Sequence, residues 1–285
     1  KRERVIIIGV RKDLNMFPTF PFPSHKLITT KQAIEDLIDN GSDQTEESVR
    51  VEQMKQYFHA GCTAKDVKRI AQENNLILAE AMTIWHMPIY KQLWEMIHNN
   101  EFGKVQMITV NFGSFKDYDM TNRFFNKNLA GGALLDIGVY ALSLTRSFMQ
   151  SKPTKILSQM LPAPTGVDEQ ATILLMNEDN QMATIALSLH SKQPKRAMIS
   201  CEKAYIEIME FPRANKAVIT DAVTGEKQEI IVGDTKKALQ YEMEDMEKAI
   251  LEEETDILQF TYTQDVMDIM TKLRREWNLV YPEEI

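Results

Sequence analysis

Gly131-Gly132-Ala133-Leu134-Leu135-Asp136-Ile137-Gly138-Val139-Tyr140 is the stretch on which the reading of this chain turns. The glycine pair ends a loop, and the apolar spacing that follows predicts a helix running to about Met149. Asp136 and Tyr140, four residues apart, would lie one above the other on one helix face. A carboxylate beside a phenol can hold a substrate hydroxyl and exchange a proton with it. On spacing alone the plainer alternative takes precedence: a half-buried tyrosine, and an acid favoured by the positive end of the helix dipole.

Outward from this helix the pattern is mostly strand. Val105 to Phe112 precedes it. Further strands are predicted over 155–161, 170–176, 182–189, 197–200, 205–209, 217–220 and 229–232, with turn chemistry at 177–180 and Gly225. Two helices, 235–252 and 262–277, close the chain. Consecutive strands flanked by helices predict an α+β domain over 103–285, built on a large, mostly antiparallel open sheet.

Before Phe102 the pattern is α/β and predicts a Rossmann-type dinucleotide-binding domain over 1–102, against which the C-terminal helices can pack. Val5 to Ile8 is an apolar run ending at Gly9, suited to a buried parallel strand. Helices are predicted over 30–40, 45–60, 63–74 and 88–99, and a strand over 76–79. The alternation is incomplete, because Gly41-Ser42-Asp43-Gln44 and Gly61-Cys62 leave no room for strands between helices. Gly9 is followed by Val10-Arg11-Lys12 and no glycine-rich turn, so the dinucleotide fingerprint is missing. Either this half is degenerate or loops are missing from the chain as it stands. The second explanation is preferred, because the breaks fall where an open α/β sheet carries its cofactor loops. Gly9, Val10 and Glu80, at predicted strand ends, are the candidate cofactor contacts. A hydrogen bond to nearby backbone is an equal alternative for Glu80.

Composition bounds the partners. The 285 residues carry a net charge of −8, which argues against a nucleic-acid surface. Two cysteines, Cys62 and Cys201, do not make a disulfide framework, and a reducing cytoplasm is the expected location. No apolar run approaches a membrane span and no signal peptide opens the chain, so no membrane partner is expected. The histidines lack metal-ligand spacing. His86 is read as structural, because no acid partner for it is visible in sequence. Lys116 and Arg123 are lone bases that could meet an anionic group on the substrate or the cofactor.

Several segments together resemble the Gfo/Idh/MocA family of oxidoreductases. They are Leu78-Ala79-Glu80-Ala81-Met82, Pro88-Ile89-Tyr90, Gly103-Lys104-Val105, Asn122-Arg123-Phe124-Phe125, and Leu129 through Tyr140. Tyr205-Ile206-Glu207-Ile208, Phe211-Pro212-Arg213-Ala214, Leu239-Gln240-Tyr241-Glu242 and Leu273-Arg274-Arg275-Glu276-Trp277 extend the likeness to the C-terminus. The resemblance implies a Rossmann domain followed by an open-sheet domain, with NAD or NADP as cofactor. It implies hydride exchange with a hydroxyl or carbonyl carbon of a sugar, cyclitol or diol. By position, Asp136 would orient the reacting hydroxyl and Tyr140 would act as general acid/base. A tyrosine, with a pKa of about 10, needs a cation beside it to work near neutrality. The family supplies one as the lysine of a Glu-Lys-Pro motif, which this sequence does not contain. Where many relatives clamp the cofactor with Trp and Arg, this chain has Thr83 and Trp85. The family also includes non-catalytic nucleotide- or sugar-sensing regulators, which is the alternative function. The alternating pattern of the open sheet, apolar on one face, implies a homodimer.

Overall fold

The computed structural model describes residues 6–9, 64–73, 77–252 and 254–282. Val10, the predicted helices at 30–40 and 45–60, and the two short junctions between helices lie outside the described residues. Strand β1 (Ile6–Gly9) is present, but it pairs antiparallel with β2 (Ile77–Glu80), Ile6 opposite Glu80 and Gly9 opposite Ile77. The parallel pairing expected for β1 is therefore corrected: in the described two-stranded sheet β1 and β2 run antiparallel.

Helix α1 (Ala64–Glu73) precedes β2, and α2 (Thr83–His86) and α3 (Pro88–His98) follow it. Proline at the first position of α3 suits a helix start, where its missing N–H costs no bond. The large sheet then begins with β3 (Val105–Gly113). After a long connection comes a helical run ending in α4 (Val139–Phe148). Then follow β4 (Lys155–Pro162), β5 (Asp168–Met176), β6 (Met182–Ser188), β7 (Gln193–Cys201), β8 (Ala204–Met209), β9 (Lys216–Asp221) and β10 (Lys227–Ile231). Helices α5 (Ala238–Leu251) and α6 (Phe260–Glu276) close the chain.

The eight strands lie in the order β10-β9-β8-β7-β3-β6-β5-β4. Every neighbouring pair is antiparallel except β3 and β6, which run parallel from Met107 opposite Met182 to Gly113 opposite Ser188. The crossover between these two central strands contains α4. Side chains alternate across the pleat: Ile108, Val110, Ile173, Ile185, Ile199, Ile206 and Ile208 are fully buried. The opposite face carries Leu157, Leu174, Met107 and Met182 in the open.

Helices α4 and α6 pack together over the covered face, and α5 and α6 also reach β2. Ala79, Met246, Ala249 and Leu258 form a small second core there. Contrary to the expectation that no run approaches a membrane span, residues 127–148 are long and apolar enough by length and composition. That run is 72% buried inside the protein, where it is the core helix of the sheet layer.

Candidate functional site

The Gly131–Tyr140 segment does not begin as a regular α-helix. Leu134–Gly138 forms a π-turn, closed by the Val139 N–H bonding to the Leu134 carbonyl five residues back, before α4 continues. Such turns are rare and occur often at functional sites. Gly138 packs closely on the sheet: a Cβ there would come within 2.8 Å of Leu187 Cδ1 on β6, and that side chain would have to shift to admit it.

A residue that sequence inspection missed holds the start of this helix. Asp168, fully buried at the head of β5, accepts the Leu134 N–H through Oδ2 at 2.5 Å. Its Oδ1 lies against Gly132 without a hydrogen bond, and a Cβ on Gly132 would overlap it. Gly132 also has φ +116°, a conformation other residues rarely adopt. Burial pushes the Asp168 carboxyl up to about 7, against the downward pull of the Leu134, Asp168 and Ala133 N–H groups and the Arg274 charge. Tyr281 completes the anchorage by donating its hydroxyl to the Gly131 carbonyl at 2.6 Å. In sequence the available signal was the glycine pair itself. Nothing local marked an acceptor 34 residues away.

On this frame Asp136 and Tyr140 are half-buried. Asp136 Oδ1 lies 3.4 Å from Arg123 Nη1, with side chains 12% and 55% exposed respectively. Tyr140 packs against Phe112 of β3, ring centres 6.5 Å apart, and its hydroxyl has no hydrogen-bond partner among the described residues. The site thus sits beside the C-terminal end of β3. A partly exposed carboxylate and a phenol without a hydrogen-bond partner among the described residues can together bind a substrate hydroxyl and pass its proton.

The mouth is built by residues 114–125. Lys116 N–H bonds to the Leu189 carbonyl at 2.9 Å, and Gly132 N–H bonds to the Phe124 carbonyl at 2.8 Å. Tyr118 stacks on His190 with centres 4.0 Å apart and planes 7° from parallel. His190 Nδ1 lies 3.3 Å from the buried Glu169 carboxylate. A hydrogen bond to Glu169 raises the Tyr118 phenol above its ordinary range.

The cofactor side is less complete. Gly9 ends β1, Val10 lies outside the described residues, and Glu80 is 7% exposed at the end of β2. Thr83 and Trp85, at the positions of the expected clamp, face the core. Thr83 donates its hydroxyl to the Pro212 carbonyl at 2.9 Å, and Trp85 packs edge-on against Tyr262. These two do not fit the holding of a nicotinamide. His86 is buried as expected for a structural histidine, but it does have an acid partner: Asp245 of α5, 2.7 Å from Nδ1. Lys91 shares that carboxylate at 2.5 Å. A partner 159 residues distant could not be read from spacing.

Residues 90–207 match the family model described as the GFO/IDH/MocA C-terminal domain. Trans-1,2-dihydrobenzene-1,2-diol dehydrogenase of Xenopus tropicalis is 25% identical over 223 residues, 74% of this chain and 66% of that protein. The scyllo-inositol 2-dehydrogenase (NADP(+)) IolU of Bacillus subtilis is 26% identical over 222 residues, 75% of this chain and 66% of the relative. The 3-ketoreductase KijD10 of Actinomadura kijaniata, solved with NADP and TDP-benzene, superposes with a TM-score of 0.62 at 15% identity. That match covers 73% of this chain and 66% of KijD10. UDP-N-acetylglucosamine 3-dehydrogenase GnnA from Acidithiobacillus ferrooxidans gives 0.60 at 20% identity, covering 74% of this chain and 65% of GnnA. The chain thus spans just under two thirds of the length of these relatives. With its open sheet and its glycine-paired helix, the chain carries over residues 90–207 a segment similar to the GFO/IDH/MocA C-terminal domain, and shares the fold of these solved structures.

Proposed function

We propose that the protein is an NAD(P)-dependent oxidoreductase acting on a CH–OH group of a sugar, cyclitol or diol. The observation that carries this is the Tyr140 hydroxyl, held beside Phe112 without a hydrogen-bond partner among the described residues, one turn from Asp136. Asp136 accepts a hydrogen bond from the substrate hydroxyl and fixes the reacting carbon. Tyr140 exchanges the proton at the substrate oxygen. A bound nicotinamide supplies or accepts the hydride. The names of the relatives support both parts: two are dehydrogenases of a diol and an inositol, one named for NADP, and one structure was solved with NADP. Gly9, Val10 and Glu80 are the proposed cofactor contacts, and residues 1–102 and 103–285 the proposed cofactor and substrate domains. We place the protein in the cytoplasm. The open face of the sheet, with Leu157 opposite Leu174 on β4 and β5 and Met107 opposite Met182 on β3 and β6, is the proposed homodimer surface.

Titration of the full chain with NADPH and NADH, followed by fluorescence, tests the proposal. Saturable binding of at least one is expected, and no binding of either overturns it. A second reading, a ligand-sensing regulator on the same fold, is favoured by the missing Glu-Lys-Pro lysine and the buried clamp positions. Nucleotide binding without turnover of any polyol would select it.

A further inference from the structure

We propose that Lys116 and Arg123 form an anion-recognition site at the mouth of the Asp136–Tyr140 site, selecting a polyol substrate that carries a phosphate or carboxylate group. The proposal rests on the oxidoreductase reading above and specifies its substrate class. The two cations share one aromatic ring. Lys116 Nζ lies 4.2 Å and Arg123 Cζ 4.0 Å from the centre of Phe124. They are thus within about 8 Å of each other, a separation at which the two like charges repel only weakly in water. Each gains only about 0.5–1 kcal/mol from the ring at so open a position.

The protein supplies little compensation. Lys116 has no ion-pair partner among the described residues. The Arg123–Asp136 contact is long, at 3.4 Å, and leaves more than half of the Arg123 side chain exposed. Asp119, the acid two residues before Thr121, is turned back onto the Thr121 N–H and hydroxyl at 2.8 and 2.7 Å. Those bonds hold its carboxyl below the usual range.

The arrangement is held in place from both ends. The Gly132 N–H to Phe124 carbonyl bond ties the ring to the helix start, and the Lys116 N–H to Leu189 bond ties the lysine to β6. Asp117 and Asp119 balance the two cations along this segment, so what distinguishes it is the placement of Lys116 and Arg123 on one ring. A neutral diol has no use for it, whereas the fork of a guanidinium matches a carboxylate or phosphate, and an ammonium adds a point charge. Arg123 also touches Asp136, so an anion bound there would place the rest of the polyol over Asp136 and Tyr140.

Calorimetric titration of the full chain with D-glucose 6-phosphate, D-glucuronate and D-glucose at low ionic strength tests the site. We expect at least one charged sugar to bind about tenfold more tightly than glucose, and its affinity to fall with added salt. The phosphate and carboxylate arms identify which group is preferred. Lys116→Met should bring the charged sugar down to the affinity of glucose without altering glucose itself. Equal affinities in the wild type, a preference that survives Lys116→Met, or no binding of any of the three overturns the proposal. An NADPH titration on the same samples separates the two claims. NADPH binding without charge preference removes only the anion site, whereas a charge preference without NADPH binding keeps the anion site but removes the oxidoreductase reading and, with it, the substrate role of the bound sugar.

Discussion

Asp168 and Glu242 are both buried acids, and burial pushes both carboxyl groups up to about 7. Their surroundings differ. Asp168 faces the first N–H groups of a helix and the bare backbone of Gly132, so its carboxylate becomes the anchor of the Asp136–Tyr140 segment. Glu242, on α5, has its Oε1 buried without a hydrogen bond. The charges of His86 and Arg213 partly offset its burial. The neighbouring carboxylate, Asp245, already takes both His86 and Lys91. The contrast separates two uses of a buried acid. One accepts a backbone N–H and holds a site in shape, the other lies beside an ion-paired neighbour that takes the nearby cations, and both leave the fold sensitive to pH near 7.

The largest expected effect breaks the first arm. Gly132→Ala places a Cβ onto Asp168 Oδ1 at a backbone angle alanine resists, and should cost about 3 kcal/mol or more. A urea midpoint unchanged from wild type would remove Asp168 as the anchor. Asp168→Ala comes next. It leaves the Leu134 N–H buried without its acceptor, a loss of about 1–3 kcal/mol, and urea denaturation of the variant should show it.

Glu242→Gln probes the second arm and has a signed pH dependence. Glu242 has a folded pKa above its unfolded value. Its contribution is therefore fully present below about pH 4 and lost as pH rises through about 7. The variant should match wild type near pH 4.5 and exceed it at pH 8 by about 1–2 kcal/mol after solvent screening. Parallel unfolding curves at the two pH values check this, and an unchanged difference would remove Glu242 as the source of pH sensitivity. The smallest effect is expected for Trp277→Phe. It loses chiefly the Nε1 bond to Ser158 at 2.9 Å on the edge strand β4, at less than about 1.5 kcal/mol.

The legible part of the fold was the part governed by short-range pattern. Strand alternation located β3 through β10, and the apolar spacing located α3, α5 and α6 to within a few residues. The parallel neighbours β3 and β6 were not separable from the antiparallel ones, because side-chain alternation is the same in both. The antiparallel pairing of β1 reversed the expectation because a short apolar run carries no information on its partner's direction. In the site, Asp136 and Tyr140 stood out by their spacing after the glycine pair. The π-turn did not, since the apolar spacing of Leu134, Ile137 and Val139 does not distinguish a five-residue from a four-residue bond. Asp168, Asp245 and the shared Phe124 ring were invisible for a different reason: each acts on residues brought to it only by the tertiary fold.

The central claim is that Tyr140 moves the proton. It is tested most directly by comparing Tyr140→Phe with wild type for turnover of the substrate the wild type accepts, with NADPH affinity measured on the same preparations. Turnover should fall by about 100-fold or more while the NADPH dissociation constant stays within about twofold. Undiminished turnover in Tyr140→Phe would contradict the account.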